Sequence, residues 1–460
     1  MMIPDRLRVT AVLLLLLLVA LPCAAQTKKQ RDQAKRLQDL GDASAAAKNY
    51  QDAIDKYGQS LAIIATNPYA HYRKGFAHFE LNQYDDALTE MTTALSQGFR
   101  PMEVYNVRAY IYLQQKNYDG TITDAKAALA VEPRNPTFIK YLVEAYIGKG
   151  DNASALDLLK KASATAPNDA DVDYYLARIY GSTGEAKNEQ TSALSALKKG
   201  TRNMGETYYL LGDADLKLHD WTAAVDAFNR AIAAKPDNLA AYRNLAEAYR
   251  SDGRYTDAIN ATKQAMKVFP NNGNLYTDIS WFYSLADRPQ DAIDAAKAAI
   301  TFQPNAYLGF TNLCRAYNDN KQYDLAISAC NTALRLQPGD GETYFYLGRA
   351  MNLSGKTTEA TRMYSLAVKG LEDYVKSLPN YSDGFYLLGN AYFADNQRDK
   401  ALEAYQKCLD LSPKYSKARY NLGIIYIQKK MRPAAEDQYN QLMTLDPKTA
   451  QLLKAQIDKM

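Results

Sequence analysis

Histidine and cysteine are scarce in this sequence, which limits the chemistry that it can support. Its 460 residues include 3 histidines and 4 cysteines. The histidines form no HExxH set, no two cysteines have the spacing of a metal site, and no serine, cysteine or lysine lies in a local signature with a histidine. We therefore expect no bound metal, no cofactor and no catalytic activity.

An excess of one charge is also lacking. The chain has 55 lysines and arginines against 51 aspartates and glutamates, a formal net charge of +4. Because nucleic-acid-binding domains usually have a clustered basic face, this balance argues against a nucleic-acid partner. Hydrophobic residues make up 47% of the chain, as in a folded globular protein. The negative mean hydropathy excludes a bundle of membrane spans.

One long apolar run stands out, close to the N-terminus. Residues 11–21 are apolar, follow two arginines and precede a group of small residues. Eleven residues are too few to cross a bilayer, which takes roughly 20, so the sequence predicts a cleaved secretory signal peptide over residues 1–25. The expected location is the periplasm or the cell envelope. Two alternatives stay open: an uncleaved anchor, and a lipid anchor on Cys23, which Pro22 disfavours because a lipobox has a small residue there.

A period of 34 residues organises the rest of the chain. A large apolar residue followed by a small one recurs at this step, and a proline lies 24 residues after each small residue. The small residues of the six clearest copies are Gly212, Ala246, Ser280, Cys314, Gly389 and Gly423. Each copy has two apolar runs at helical spacing, separated by a polar turn, and the proline ends the second run because it lacks an amide hydrogen. A lone helix pair cannot bury its apolar face, so the copies must stack.

This pattern resembles the tetratricopeptide repeat, which has a small residue at position 8, alanine at 20 and 27, and proline at 32. The resemblance implies an all-α fold, a right-handed α-solenoid of about 12 helical hairpins with a C-terminal capping helix. It divides the chain into a lead-in at 26–33, repeats 1–5 at 34–204, repeats 6–12 at 205–449 and the capping helix at 450–460. Repeat 5, with Glu189 at position 20, and repeat 10, with a seven-residue insertion, are the expected irregularities.

The cysteines of the mature chain fall on core positions of the repeat. Cys314 and Cys330 occupy positions 8 and 24 of one repeat, on helices expected to pack against each other. They either pair as a disulfide in an oxidising compartment or fill two separate small sites in the core. Cys408, at position 27, is expected to be buried and unpaired.

The resemblance also implies where a partner binds. In the family the first helix of each repeat lines the concave face, and positions 2, 5, 9 and 12 usually face the groove. The candidates are aromatic in repeat 2, polar with an excess of arginine in the middle repeats, and aromatic again later. In that order they are Tyr69, Tyr72, Phe76 and Phe79; Arg243, Glu247, Arg250, Trp281, Arg315, Asn318, Arg349 and Asn352; and Phe345, Tyr386, Asn390, Phe393 and Tyr420. For repeat 2 there is an alternative, in which adjacent first helices cover the aromatic residues so that they do not form a binding surface.

These candidates indicate a non-catalytic scaffold for protein–protein interaction in the bacterial envelope, which holds a protein or an extended peptide on the concave face. Aromatic anchors and bidentate arginines suit such a partner. The alternative is a protein that binds envelope glycan or peptidoglycan through its aromatic patches. The family's carboxylate clamp for chaperone C-termini is not reproduced, because Tyr386 replaces its lysine and only Asn390 and Asn421 match. We expect no membrane span in the mature chain.

Overall fold

The computed structural model describes residues 27–460, and within this range the chain consists of helices joined by short turns, with no strand. The expected all-α fold of helical hairpins is confirmed. The predicted signal peptide and Cys23 lie outside the described residues. The first helices are α1 (Lys28–Ala46), α2 (Tyr50–Ile63), α3 (Pro68–Glu80), α4 (Tyr84–Ser96), α5 (Pro101–Gln114), α6 (Tyr118–Val131), α7 (Pro136–Lys149) and α8 (Asn152–Thr165).

The remaining helices continue the same alternation of first and second helices. They are α9 (Ala170–Thr183), α10 (Ala186–Lys198), α11 (Met204–Lys217), α12 (Trp221–Ala234), α13 (Leu239–Ser251), α14 (Tyr255–Val268), α15 (Gly273–Leu285), α16 (Pro289–Phe302), α17 (Tyr307–Asp319), α18 (Tyr323–Leu336), α19 (Gly341–Leu353), α20 (Thr357–Ser377), α21 (Ser382–Ala394), α22 (Arg398–Leu411), α23 (Ser416–Gln428), α24 (Arg432–Leu445) and α25 (Pro447–Ile457). None of these helices has the length and apolar composition that a membrane span needs.

A left-handed backbone residue lies in the turn of each hairpin and recurs with the repeat. The amide of the next residue donates to the carbonyl five positions earlier, as Arg254 N does to Tyr249 O at 2.8 Å. This closure uses carbonyls that the helix end leaves free and turns the chain into the second helix. The left-handed residues are Lys48, Asn82, Lys116, Gly150, Gly184, His219, Gly253, Asp287, Lys321, Gly355, Asn396 and Lys430, with φ between 56° and 85°.

Small residues on the first helices allow the two helices of a hairpin to approach closely. A Cβ on Gly389 would lie 2.6 Å from the ring of Tyr405, and a Cβ on Gly212 would lie 2.7 Å from the ring of Phe228. Each ring comes from position 24 of the same repeat and lies over the backbone of position 8. The sequence period therefore reflects a packing requirement between the two helices.

The chain forms two compact units that divide between Pro167 and Asn168, in the segment between α8 and α9. The sequence placed its division elsewhere, between residues 204 and 205. In the first unit, a core that includes Met91 and Ile111 is enclosed by the helices of successive hairpins. In the second unit, one cluster of buried side chains extends from Ala224 on α12 to Ala350 on α19, and partly buried residues of α11 and α20 pack against it.

Two irregular repeats retain the hairpin form. In repeat 5, the Glu189 side chain is fully buried and pairs with Lys217 at 2.9 Å, and the absence of a side chain on Gly181 leaves room for it. The helix α20, which carries the inserted residues of repeat 10, has 21 residues where most helices have 13 or 14. At the C-terminus, α25 buries Leu453 over Gly423.

The two cysteines of repeat 9 form a disulfide. Cys314 on α17 and Cys330 on α18 are joined by an S–S bond of 2.04 Å, and both residues are fully buried. Of the two alternatives that the sequence left open for Cys314 and Cys330, the structure shows the disulfide. Cys408 is buried and free, as expected.

Candidate partner-binding cavity

Five first helices of the second unit, α15, α17, α19, α21 and α23, border a cavity of about 1150 Å³. The chain places these helices side by side because each is the first element of a successive hairpin. Eight of the residues predicted to face a groove line this cavity: Trp281, Arg315, Phe345, Arg349, Tyr386, Asn390, Phe393 and Tyr420.

Aromatic side chains form much of the cavity wall, and several of them support one another. The ring of Tyr386 lies 4.9 Å from that of Tyr415 and 6.2 Å from that of Tyr405, measured between centroids. The Tyr405 hydroxyl donates to Asn390 Oδ1 at 2.7 Å, and Asn421 Nδ2 donates to the same oxygen at 2.9 Å. The predicted groove residue Asn390 is therefore engaged by other residues of the wall.

Two of the arginines that give the middle repeats their excess of positive charge are paired with carboxylates in the cavity wall. Arg315 pairs with Glu342 at 3.1 Å, and Arg349 pairs with Asp319 at 3.0 Å. In each pair the carboxylate belongs to a neighbouring repeat. Positions counted on one helix at a time do not reveal these pairs, because stacking brings acidic residues of the adjacent helix against the arginines.

Five further candidates lie outside the cavity lining. Arg243 pairs with a carboxylate of the next repeat, Asp278, at 2.7 Å. Asn318 is buried and donates to the backbone oxygens of Cys314 and Tyr346, so it joins α17 to α19. The remaining three are Glu247, which pairs with Arg250, Arg250 itself, and Asn352, which is exposed.

Arg250 takes part in a contact between helices that are far apart in the sequence. Its guanidinium lies 2.8 Å from the carboxylate of Asp383 on α21, and the two side chains are 6% and 5% exposed. Asp383 also accepts a hydrogen bond from the Tyr415 hydroxyl at 2.7 Å. Nearby, Lys414 pairs with Asp252 at 2.7 Å. We call these two ion pairs, Arg250–Asp383 and Lys414–Asp252, the clasp.

The clasp closes part of the second unit on itself. Burial opposes the charged form of Arg250, but the carboxylates of Asp383 and Glu247 raise its pKa well above the ordinary value, so the group is a cation. Its guanidinium also lies 5.0 Å from the centroid of Trp281, which borders the cavity. The clasp is thus in direct contact with the cavity wall.

The predicted aromatic residues of repeat 2 lie in the first unit and pack on one another. Tyr72 stacks on Phe99 with a centroid distance of 4.4 Å, and Phe79 meets Tyr110 edge-on at 5.6 Å. Tyr72, Phe76 and Phe79 are half-buried, while Tyr69 is 36% exposed. Contacts between neighbouring hairpins therefore cover a large part of this surface.

Family models match five ranges of the chain, two of which overlap. Models described as tetratricopeptide repeat match residues 44–109, 112–179, 209–272 and 416–449, and one described as TPR repeat matches residues 379–430. Together these ranges span more than half of the 460 residues. The chain belongs to the tetratricopeptide repeat family.

Curated relatives of this tetratricopeptide repeat protein match over parts of its length. Tetratricopeptide repeat protein 37 of Xenopus laevis is 30% identical over 186 residues, which are 37% of this chain and 12% of that protein. Small glutamine-rich tetratricopeptide repeat-containing protein 2 of Saccharomyces cerevisiae is 35% identical over 149 residues, 32% of this chain and 42% of that protein. The chain thus spans less than half the length of these relatives.

Solved structures with a similar arrangement include yeast Tom70 and MamA. The Tom70 structure is 16% identical, with a TM-score of 0.41, and the match covers 93% of this chain and 96% of that one. The MamA structure is 24% identical, with a TM-score of 0.33, and the match covers 38% of this chain and 95% of that one.

Several cavity residues of this tetratricopeptide repeat protein were missed by the sequence reasoning. Glu342, Asp383 and Lys417 all stand at position 2 of their repeats, which usually faces the groove in the family, but Tyr69 of repeat 2 was the one candidate selected at that position. The charged residues at position 2 were the signal that was overlooked. Others come from second helices and connecting segments, for which the repeat pattern gives no such signal: Tyr364, Tyr374, Tyr381, Tyr405 and Tyr415.

Proposed function

We propose that this protein is a non-catalytic scaffold whose second unit holds a segment of a partner protein in the cavity. The observation that carries the proposal is the set of aromatic side chains on the cavity wall, among them Phe345, Tyr386 and Phe393. Rigid aromatic side chains in a concave site lose little conformational entropy on binding and supply most of the contact energy at protein interfaces. The internal pairing of Arg315 and Arg349 leaves shape and apolar contact as the main terms of recognition.

We further propose that the protein acts outside the cytoplasm, in the bacterial envelope. The N-terminal sequence has the pattern of a secretory signal. The disulfide between Cys314 and Cys330 supports the same location, because structural disulfides persist in oxidising compartments and are rare in the cytosol.

Site-specific photo-crosslinking tests the scaffold proposal. A photoreactive phenylalanine analogue replaces Phe393 inside the cavity or Asn352 outside it, and crosslinked polypeptides are identified by mass spectrometry from intact envelopes. We expect a discrete polypeptide adduct at position 393 and none at 352, and the adduct should disappear when Tyr386→Ala is added. Equal labelling at both positions, or an adduct that is indifferent to Tyr386→Ala, would contradict the proposal.

A second candidate is binding of envelope glycan to the aromatic surface of the first unit. Tyr69 and Tyr110, which belong to the network of rings around Phe79, are each 36% exposed, and an exposed aromatic row suits sugar rings. Placing the same photoreactive residue at Tyr69 distinguishes the two. Adducts that are removed by a glycan hydrolase would favour this function, and protein adducts would exclude it.

A further inference from the structure

Two tyrosine hydroxyls in the cavity wall have no hydrogen-bond partner within residues 27–460. Tyr346 on α19 and Tyr364 on α20 border the cavity, and the two residues are 7% and 9% exposed. Neither hydroxyl makes a hydrogen bond to another residue of this range, and neither oxygen is sealed from solvent. The charged groups that act most strongly on the Tyr346 hydroxyl are Arg315 and Glu342, which are themselves part of the wall. The hydroxyl of an otherwise buried ring is therefore presented to the cavity.

The repeat register explains why the Tyr364 hydroxyl is free. Tyr364 occupies position 24 of repeat 10, which is the position of Tyr405 in repeat 11. The Tyr405 hydroxyl donates to the residue at position 9 of its own repeat, Asn390, at 2.7 Å, and repeat 1 has the same bond. In repeat 10 position 9 is Arg349, and a guanidinium group has no acceptor. Tyr364 thus lacks the acceptor that its counterparts have.

An apolar contact surface lies beside both hydroxyls. The ring of Phe345, which is half-buried in the wall, lies 5.3 Å from the ring of Tyr346 and 6.1 Å from that of Tyr364, measured between centroids. Burial raises the pKa of both tyrosines, so both hydroxyls keep their protons at neutral pH and can donate them to a ligand.

The acceptors of the wall, by contrast, are largely occupied. Side chains that pair with a cation or accept a hydrogen bond from this chain are Asp278, Asp319, Glu342, Asp383 and Asn390. Asp446 accepts the Thr449 amide at 3.1 Å and caps α25. The indole nitrogen of Trp281, in the same wall, donates to no residue within the described range. The enclosed wall therefore has free donors and few free acceptors.

A ligand that suits this wall supplies acceptors, brings few donors and covers aromatic rings. A segment in the polyproline II conformation does all three, because its carbonyls make no internal hydrogen bonds, proline has no amide hydrogen, and its rings pack on aromatic side chains. A helix uses its carbonyls internally. An extended segment without proline brings amide donors that this wall would leave unsatisfied.

We propose that the cavity binds a proline-rich segment of the partner in the polyproline II conformation, with backbone carbonyls that accept hydrogen bonds from the hydroxyls of Tyr346 and Tyr364. The ring of Phe345 packs against a proline between them. This inference rests on the proposed function, because it specifies the partner segment that the same cavity holds.

Two labelled peptides and a set of phenylalanine variants test the inference. The probes are decaproline and a helical decapeptide of aminoisobutyric acid, each with the same fluorescein label, and fluorescence anisotropy measures their binding to the full chain. We expect decaproline to bind at least about tenfold more tightly than the helical peptide, since the helix offers no free carbonyls to the two hydroxyls.

Replacing tyrosine by phenylalanine removes the hydroxyl and keeps the ring. Tyr346→Phe and Tyr364→Phe should each weaken decaproline binding about threefold to tenfold, as for the loss of one hydrogen bond. Tyr323→Phe is the matched control, because Tyr323 on α18 does not border the cavity, and it should leave the affinity unchanged. Equal binding of the two peptides, or a decaproline affinity that is the same in all three variants, would overturn the inference.

Competition in intact envelopes separates this inference from the proposed function and needs no change to Tyr346 or Tyr364. The photoreactive residue at position 393 is crosslinked in the presence of excess decaproline or of the helical peptide. We expect decaproline alone to remove the polypeptide adduct. An adduct that decaproline does not remove refutes the proline-rich segment and leaves the scaffold function standing, whereas the absence of any polypeptide adduct at position 393 contradicts the proposed function itself.

Discussion

Removing the charge of Arg250 should loosen the second unit at a point far from the substitution in sequence. Arg250→Met leaves the carboxylate of Asp383, 5% exposed, without its cation, although the Tyr415 hydroxyl still donates to it. Removing one partner of a buried ion pair lowers the free energy of unfolding by about 3–5 kcal/mol. The remaining hydrogen bond places the expected cost near the lower end, about 3 kcal/mol. That value corresponds to roughly a hundredfold faster local opening.

Hydrogen exchange measures this effect locally, which is appropriate because a long repeat array does not unfold in one step. We expect amides of α21 to exchange about a hundredfold faster in Arg250→Met. Acrylamide should also quench Trp281 more strongly, because the Arg250 guanidinium lies 5.0 Å from its ring. Arg254→Met is the matched control, since its pair with Asp257 is local and about half exposed, and exposed pairs contribute at most about 1 kcal/mol.

The double variant Arg250→Met, Asp383→Leu separates the ion pair from simple loss of packing. Because it leaves no unpaired buried charge, it should cost less than the sum of the two single substitutions. Strict additivity of the three variants would refute the clasp, as would α21 amides that exchange no faster in Arg250→Met than in Arg254→Met.

Two further predictions concern the irregular repeat and the disulfide. Burial raises the pKa of Glu189 to about 7, so the folded chain holds a proton that the unfolded chain releases. The free energy of unfolding should therefore fall by up to about 3 kcal/mol between about pH 4.5 and pH 7. Urea unfolding at a series of pH values measures this dependence, and Glu189→Gln should remove the part of it that Glu189 causes. A wild-type slope that persists unchanged in the variant would contradict the burial argument. The Cys314–Cys330 bond closes a loop with a sequence separation of 16, so replacing both residues by alanine should cost about 3 kcal/mol by the loop-entropy relation. In the unaltered protein, unfolded without reductant, Cys314 and Cys330 should resist alkylation while the free Cys408 reacts, and labelling of Cys314 or Cys330 would disprove the bond.

The fold could be predicted from the sequence because its determinants are local and repeat. A small residue such as Gly389 is needed wherever a ring such as Tyr405 lies over the first helix, and a left-handed residue such as Gly253 marks the turn. Each signal is weak alone, but its recurrence at a fixed step makes the architecture evident. The aromatic residues Phe345 and Phe393 were placed for the same reason, since groove positions follow from the repeat register.

The electrostatics of the site could not be predicted in the same way. The pairing of Arg349 with Asp319 depends on how one hairpin rotates against the next, and the clasp depends on the sum of several such rotations between α13 and α21. No local pattern encodes the rotation per repeat, so Arg250 was interpreted as an open groove residue. Lys417 was overlooked although its position in the repeat was known to face inward.

The clasp has a consequence for how this region can change over evolutionary time. An open solenoid tolerates gain or loss of a unit, because each unit touches its immediate neighbours and the ends are free. Here Arg250 and Asp383 must meet, so the number of hairpins between them is fixed by geometry. Duplication or deletion of one hairpin in that interval would separate the two charges and leave Asp383 without its cation, while Arg250 would keep only its pair with Glu247. We therefore expect the number of hairpins to vary only outside the interval between Arg250 and Asp383, where no ion pair fixes how many hairpins there are.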